Sequence, residues 1–168
     1  MGYVHATHMS TFITPAQVTA TVGTWAMAAA SNVWTLNKTA ADNTSVIKIP
    51  CRLPGNASGW KGARLKSVDV WYSIATAACD AISTALYCST LPAQSGTLSA
   101  GLVATSYDSA HDTAAERLAV DQHKLTLTLT TAPWVDEDSE YYVELTVDAA
   151  ASSVVKFQGA RVNYDLRI

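Results

Sequence analysis

Residues 125–129 read Leu-Thr-Leu-Thr-Leu, and residues 141–147 read Tyr-Tyr-Val-Glu-Leu-Thr-Val. In both stretches one set of alternate positions is apolar, and the other set is mainly polar. Successive side chains of a β-strand point to opposite faces of its sheet, so this alternation predicts strands with one face on a core. The two stretches are the strongest structural signal in the chain, and they predict an antiparallel sheet.

Weaker strand patterns continue this signal toward the N-terminus, at residues 33–36, 44–53, 64–76, 82–88 and 102–107. The segment 82–88 is expected to return as the antiparallel partner of 64–76. Pro50 has no N–H group to donate, so its strand is predicted to be an edge strand or to carry a bulge. Seven to nine short antiparallel strands with polar turns predict an all-β fold, a β-sandwich of jelly-roll type.

The last strand changes its parity partway along. Val155 and Phe157 stand at odd positions, whereas Val162 and the later apolar residues stand at even ones. One extra residue in a strand is a β-bulge, and glycine tolerates the backbone conformation that a bulge requires. The pattern therefore predicts a bulge at Gly159 or Ala160.

Size and composition predict one domain with an arm. The chain has 168 residues, of which 49% are hydrophobic and only 15% are charged, and its 20 Thr and 15 Ser supply much of the polarity. Residues 1–30 show no clean period and are interpreted as an extended N-terminal arm, and residues 31–168 as the β-sandwich domain. A surface poor in Lys and Glu suits burial against neighbouring subunits.

Charge and hydropathy exclude two classes of partner. The net charge is −3 and the pI is about 5.7, so the chain lacks the basic surface that nucleic acids and anionic membranes attract. No apolar run approaches the roughly 20 residues of a membrane span. We expect neither a nucleic acid nor a membrane as partner.

The three cysteines do not have the spacing of a metal site. Cys51 and Cys88 are in phase with apolar neighbours and are predicted to be core side chains. A disulfide between Cys79 and Cys88 is an alternative, but reduced thiols are favoured, as in a protein made in a reducing cytoplasm.

The acidic loop at residues 136–140 is the weak candidate for a metal site. Asp136, Asp138 and Glu140 supply the hard oxygen ligands that Ca²⁺ prefers, but the turn glycine of a calcium loop is absent. A solvated loop is the favoured interpretation, and no metal or cofactor is predicted.

Imidazole and carboxylate groups occur together once, at Asp108, His111, Asp112 and His123. Their spacing does not show the convergence that zinc binding or acid–base catalysis needs, so hydrogen bonding within a loop is favoured. The chain also lacks a Gly-x-Ser-x-Gly elbow, a phosphate-binding glycine loop and a His-Glu-x-x-His motif. We therefore predict that it is not an enzyme.

Aromatic residues are the better functional candidates. Trp71 and Tyr87 have outward parity on strands predicted to be neighbours, Tyr142 has outward parity further on, and Trp60 and Trp134 lie in loops. An open aromatic row would stack on sugar rings, as in a carbohydrate-binding module. The alternative, which we favour, is that the arm or another subunit covers these residues.

Two segments, Gly-Ala-Arg-Leu-Lys-Ser-Val-Asp-Val-Trp-Tyr at 62–72 and Asp-Glu-Asp-Ser-Glu-Tyr-Tyr-Val-Glu-Leu at 136–145, carry a resemblance. Over about residues 60–168 the chain resembles β-sandwich virion proteins of tailed bacteriophages. The resemblance implies a capsid decoration (cement) or tail-associated protein of the virion, made in the host cytoplasm.

It also implies a homo-oligomer, with a trimer favoured, and contacts with capsid or tail proteins. It assigns no functional residues. A carbohydrate-binding module that uses the exposed aromatics remains the alternative function.

Overall fold

A computed structural model of the chain describes residues 6–30, 32–54 and 62–167. These residues form one short helix, α1 (Ala114–Leu118), a 3₁₀ turn (Pro15–Gln17) and twelve β-strands. The strands are β1 (Ala6–Ile13), β2 (Thr19–Val22), β3 (Trp25–Ala30), β4 (Val33–Lys38), β5 (Asn43–Cys51), β6 (Ala63–Ala75), β7 (Ala81–Thr90), β8 (Ser99–Val103), β9 (Thr105–Tyr107), β10 (Gln122–Leu129), β11 (Ser139–Ala149) and β12 (Val154–Arg167). No helix in this part of the chain is long and apolar enough to cross a membrane.

The strands form two antiparallel sheets. The seven-stranded sheet has the order β3-β4-β12-β6-β10-β9, with β1 also paired to β12, and the five-stranded sheet has the order β2-β5-β11-β7-β8. Within them, the rows β4-β12-β6-β10 and β5-β11-β7-β8 have the strand order of an eight-stranded jelly roll. The predicted β-sandwich is confirmed. The strands outnumber the seven to nine expected because β1, β2 and β3 precede the first predicted strand.

The core lies between the two sheets, where the alternating residues of the opening stretches meet. Leu125 and Leu127 of β10 are buried from one side, and Val143 and Leu145 of β11 from the other. Burying a side chain of this size contributes about 1.5–3 kcal/mol through the hydrophobic effect. The predicted parity of both stretches is therefore confirmed.

The bulge in β12 is also confirmed. The register against β6 shifts between Phe157 and Gly159, and Gly159 has a φ of +146°. A Cβ atom at this position would lie 2.6 Å from Cζ of Phe12 and 3.1 Å from the carbonyl oxygen of Ile13. Glycine is therefore required both for the backbone conformation and for the close approach of β1.

The interpretation of residues 1–30 as an arm is wrong for residues 6–30. β1 pairs with β12 from Ala6 opposite Arg167 to Ile13 opposite Ala160, and Ile13 is buried in the core. β2 pairs with β5, and β3 pairs with β4. The side chains of residues 6–10 are exposed, so β1 is held largely by backbone hydrogen bonds, which leave no hydrophobic period in the sequence.

The predicted pairing of residues 64–76 with 82–88 is wrong as well. β6 lies between β12 and β10, whereas β7 lies between β11 and β8 in the other sheet. The chain crosses from one sheet to the other between these strands, as a jelly roll requires. β5 is not the edge strand predicted from Pro50, because it lies between β2 and β11, but β2 pairs with it only as far as Lys48 and does not reach Pro50.

Candidate functional site

An aromatic row crosses the outer face of the five-stranded sheet. Pro50 of β5 is opposite Tyr142 of β11, Tyr142 is opposite Tyr87 of β7, and Tyr87 is opposite Leu102 of β8. Residues directly opposite each other in an antiparallel pair share a face, so the four side chains form one row. The outward parity predicted for Tyr87 and Tyr142 places them together here.

The ring of Tyr142 is flanked on both sides by neighbouring strands. Tyr87 stacks on it with ring centroids 5.4 Å apart and an interplanar angle of 20°, and the Lys48 ammonium lies 4.8 Å from its centroid. β7 and β5 lie on opposite sides of β11, so the two partners approach Tyr142 from both neighbouring strands.

A shallow groove of about 470 Å³ runs beside this row. The carboxylate of Glu140, the ammonium of Lys48 and the hydroxyl of Ser89 line it together with Tyr142. Its volume is within the range of small-molecule sites, and its polar groups are suited to hydrogen bonding with hydroxylated ligands. The groove is a candidate for a ligand site on this face.

Trp71 lies on the outer face of the seven-stranded sheet, on the opposite side of the molecule from Tyr87. The prediction that these two residues share one face is therefore wrong, because β6 and β7 are in different sheets. The Arg161 guanidinium of β12 lies 5.4 Å from the Trp71 ring centroid, and the Lys124 ammonium of β10 lies 5.7 Å from it. Like Tyr142, Trp71 is bracketed by side chains from both adjacent strands.

Asp69 holds these cations in place next to Trp71. It is only 3% exposed, and its Oδ2 accepts hydrogen bonds from Arg161 Nη2 at 2.7 Å and from Asn163 Nδ2 at 3.2 Å. Thr126 Oγ1 donates to Oδ1 at 2.7 Å. Burial alone would raise the pKa of Asp69, but these hydrogen bonds outweigh it and lower the pKa below its usual value. The carboxylate is an ionised structural anchor.

Of the two loop tryptophans, the structure describes Trp134, which does not join the row of Tyr87 and Tyr142. Trp134 is half-buried and forms an isolated bridge with Arg64, whose guanidinium lies 6.0 Å from the Trp134 ring centroid. Trp60 lies outside the described residues.

The acidic loop does not form a metal site in the described part of the chain. Asp136 and Asp138 are exposed, and Glu140 is the second residue of β11 and lines the groove. Nowhere in residues 6–30, 32–54 and 62–167 do three or more His, Cys, Asp or Glu side chains lie close enough to hold a metal ion. The three cysteines are free thiols, and burial raises the pKa of Cys51 to about 12.

Asp108, His111 and His123 form a hydrogen-bonded chain under the loop that carries α1. His111 Nδ1 lies 2.8 Å from Asp108 Oδ1, His111 Nε2 lies 3.3 Å from His123 Nδ1, and His123 Nε2 lies 2.9 Å from the carbonyl oxygen of Ala119. Tyr72 stacks on His123 at 4.7 Å. This series of hydrogen bonds ends at the backbone carbonyl of Ala119, which agrees with the favoured role in loop hydrogen bonding.

Asp108 also accepts hydrogen bonds from two backbone N–H groups, those of Thr126 at 2.6 Å and Ala110 at 3.0 Å. Burial alone would raise the pKa of Asp108. Hydrogen bonds from the Thr126 N–H, His111 and the Ala110 N–H outweigh burial, so the pKa of Asp108 lies below its usual value.

The β3–β4 hairpin is a surface that sequence reasoning missed. It forms one end of the seven-stranded sheet, and Met27, Val33 and Trp34 are exposed on it, with Trp34 60% exposed. Trp34 pairs with Ala29 across the hairpin and lines a shallow apolar depression with Ala16 and Met27. Single exposed apolar residues are ordinary, but a contiguous group of them marks an interaction surface.

A signal for this hairpin was present in the sequence. The chain has no Asp, Glu, Lys or Arg before Lys38. Lys38 itself is buried, and its ammonium donates to the carbonyl oxygens of Ala41 at 2.8 Å and Thr39 at 3.2 Å. The exposed side chains of the hairpin before Lys38 are therefore all uncharged.

Comparisons with known proteins concern the fold alone. No protein family profile and no curated protein sequence matches the chain. Solved structures with similar folds include the CBM22-1-GH10 modules of Clostridium thermocellum endo-1,4-beta-D-xylanase 10B, complexed with xylohexaose. That match has 9% identity and a TM-score of 0.46, and covers all of this chain and 29% of the xylanase chain.

Two further structures are similar at the same level. TmCBM61 in complex with beta-1,4-galactotriose matches at 11% identity and a TM-score of 0.39, over 96% of this chain and 88% of its own. The enzymatically active domain of bacteriophage CBA120 tailspike protein 4 matches at 10% identity and a TM-score of 0.35, over 96% of this chain and 19% of its own. Likenesses with TM-scores this low carry no functional argument.

Proposed function

We propose that this chain is a non-enzymatic structural protein that acts by homo-oligomeric assembly. The observation that carries the proposal is the β3–β4 hairpin, which exposes Met27, Val33 and Trp34 at the end of an uncharged stretch of 37 residues. A soluble chain that keeps this surface in contact with water would be prone to association. Packing between identical subunits removes it from water.

The two outer faces support the same proposal. Trp71 is bracketed by Arg161 and Lys124, and Tyr142 by Tyr87 and Lys48. Both rings already pack against their own strand neighbours, so neither requires a ligand to explain its position. This favours a building block over an open aromatic binding surface.

A virion setting rests on the resemblance of residues 60–168 to β-sandwich proteins of tailed bacteriophages. In this proposal the assembled chain is a capsid decoration or tail-associated protein, made in the host cytoplasm and in contact with capsid or tail proteins. Immunogold labelling of intact particles with antibody to the chain tests the setting, and particles without label would contradict it.

Light scattering coupled to size-exclusion chromatography tests self-association. We expect the full chain to elute as a defined oligomer, with a mass of two or more times the 17.8 kDa of one chain. A single monomeric species at every soluble concentration would remove the proposal.

Glycan binding is the second candidate, because the groove beside Tyr142 combines an aromatic edge with Glu140, Lys48 and Ser89. A glycan array followed by calorimetric titration tests it. Tyr142→Ala is expected to abolish binding, and Trp71→Ala on the other sheet, which removes a similarly bracketed ring, is the matched control. The absence of a response to any glycan would exclude this candidate.

A further inference from the structure

We propose that two copies of this chain pair through β3, so that their seven-stranded sheets join across a two-fold axis at Met27. The inference rests on the proposed self-association and names its contact. β3 is the terminal strand of its sheet, and among the described residues it pairs with β4 alone. One of its edges therefore presents backbone groups that the chain itself leaves unpaired.

The direction of these groups follows from the hairpin register. The N–H of Thr39 donates to the carbonyl oxygen of Thr24 at 3.3 Å, so the polar groups of Thr24 point toward β4. The N–H and C=O of one strand residue point to the same side, and the side alternates along the strand. Trp25, Met27 and Ala29 therefore direct their N–H and C=O groups away from β4.

One antiparallel register satisfies all of these groups. With Met27 opposite Met27 of the second copy, Trp25 lies opposite Ala29, and Ala29 lies opposite Trp25. Each of these pairs forms two N–H···O=C bonds, so the junction contains six backbone hydrogen bonds. A shift of the register by two residues leaves outward groups unpaired at both ends. The edge of β3 is thus its own complement, as a two-fold interface requires.

The side chains fit the same register. The larger Trp25 meets the small Ala29 of the second copy, and on the opposite face Ala26 meets Ala28. Trp34 lies next to Ala29 within the hairpin, so its exposed ring is placed to contact the second copy near Trp25. The junction therefore covers the apolar depression of the hairpin.

The absence of charged side chains on β3 also favours a second copy of this chain as the partner of its edge. Edge strands are usually protected by lysine, proline or a bulge, and residues 25–30 contain none of these. Two uncharged strands meet without repulsion, whereas a charged partner strand would gain no ion pair from β3. A two-fold junction joins copies in pairs, so the trimer implied by the family resemblance would need a different contact.

Cysteine cross-linking tests the axis. In Met27→Cys the two thiols lie on directly opposite residues, whose Cα atoms are about 5.5 Å apart in a hydrogen-bonded pair, within the range of a disulfide. We expect a covalent dimer under mild oxidation. Ala26→Cys is the matched control, because its side chain lies on the other face and opposite Ala28, and it should not cross-link. Wild type under the same oxidation controls for the native cysteines.

A charge substitution gives an independent readout by light scattering. Ala29 is exposed, so Ala29→Lys should keep the melting temperature of the isolated fold while weakening association at least about tenfold. Ser106→Lys, at an exposed position of β9 at the other end of the same sheet, is the charge-matched control and should leave association unchanged.

The outcomes separate this inference from the proposed function. An oligomeric wild type that Ala29→Lys leaves intact, together with no Met27→Cys dimer, would overturn the β3 junction but not self-assembly. Cross-linking of Ala26→Cys to the same extent as Met27→Cys would also overturn it. A monomeric wild type would overturn both proposals.

Discussion

Gly159 is the residue at which β12 changes the parity of its buried side chains. Its φ of +146° is unfavourable for residues with a side chain, and a Cβ atom there would lie 2.6 Å from Phe12. We expect Gly159→Val to destabilise the fold by at least about 2 kcal/mol, through backbone strain and crowding against β1.

Chemical denaturation measures this loss. Gly101→Val is the matched control, because a Cβ atom at Gly101 meets nothing within 4 Å. Equal midpoints for the two variants would show that the parity change does not depend on glycine.

Asp69, on the outer face of the seven-stranded sheet, makes the stability of the fold depend on pH. Because its pKa is lower in the folded chain than in the unfolded chain, ionised Asp69 stabilises the fold above the unfolded pKa of about 3.9. That contribution is lost as the pH falls through the lower folded pKa. Asp108 has a pKa lowered in the same direction and adds to the effect. We expect the melting temperature to fall as the pH drops below about 4.

Asp69→Asn separates the contribution of this carboxylate. At neutral pH it should be less stable by about 1–3 kcal/mol, because Arg161 loses a charged partner, and acid should then destabilise it less than wild type. Glu137→Gln, at an exposed position of the acidic loop, is the control. Parallel melting curves for wild type and Asp69→Asn across this range would contradict the assignment.

At the scale of the strand, β11 is the central element of the five-stranded sheet. It pairs with β5 on one side and with β7 on the other, so its inward residues lie in the middle of the core. Leu145 is fully buried, and we expect Leu145→Ala to cost about 2–5 kcal/mol. Thr146→Ala, on the outer face of the same strand, should cost less than about 1 kcal/mol. Urea denaturation of the two variants measures the difference, and similar losses would be inconsistent with the inward parity.

Individual strands were predictable because their alternation is local. The parity of Leu125 and Leu127 follows from one-sided burial, and the bulge at Gly159 follows from a change of parity within one strand. Parity does not identify the sheet to which a strand belongs. Parity alone therefore predicts one shared face for Trp71 and Tyr87, although β6 and β7 lie in different sheets.

The whole molecule depends on residues whose sequence shows no period. β1 satisfies the backbone of β12 with mostly exposed side chains, so nothing in residues 6–12 indicated a strand. The exposed surface of the β3–β4 hairpin is not predictable for a related reason. Trp34 has the same parity as Leu36, which is buried, so its parity predicts burial. Trp34 is exposed because the hairpin lies at the end of its sheet, and the sequence does not show where a sheet ends.

Removal of residues 1–13 tests whether β1 is part of the fold. We expect a clear loss of thermal stability, because β12 loses its partner over eight residues and Ile13 leaves the core. Met9→Ser, which keeps the backbone pairing and changes one exposed side chain, is the control. An unchanged melting temperature after truncation would restore the interpretation of this segment as an arm.

The position of β12 also determines when the molecule can fold. It pairs with β1, β4 and β6, so a nascent chain emerging from the ribosome lacks this interior strand of its larger sheet until residues 154–167 have been translated. Contacts this distant in sequence form slowly, because long segments must be brought together first. During that delay β3 is already synthesised, so under the proposed β3 pairing, polysomes that carry many copies are where premature association between nascent chains is most favoured.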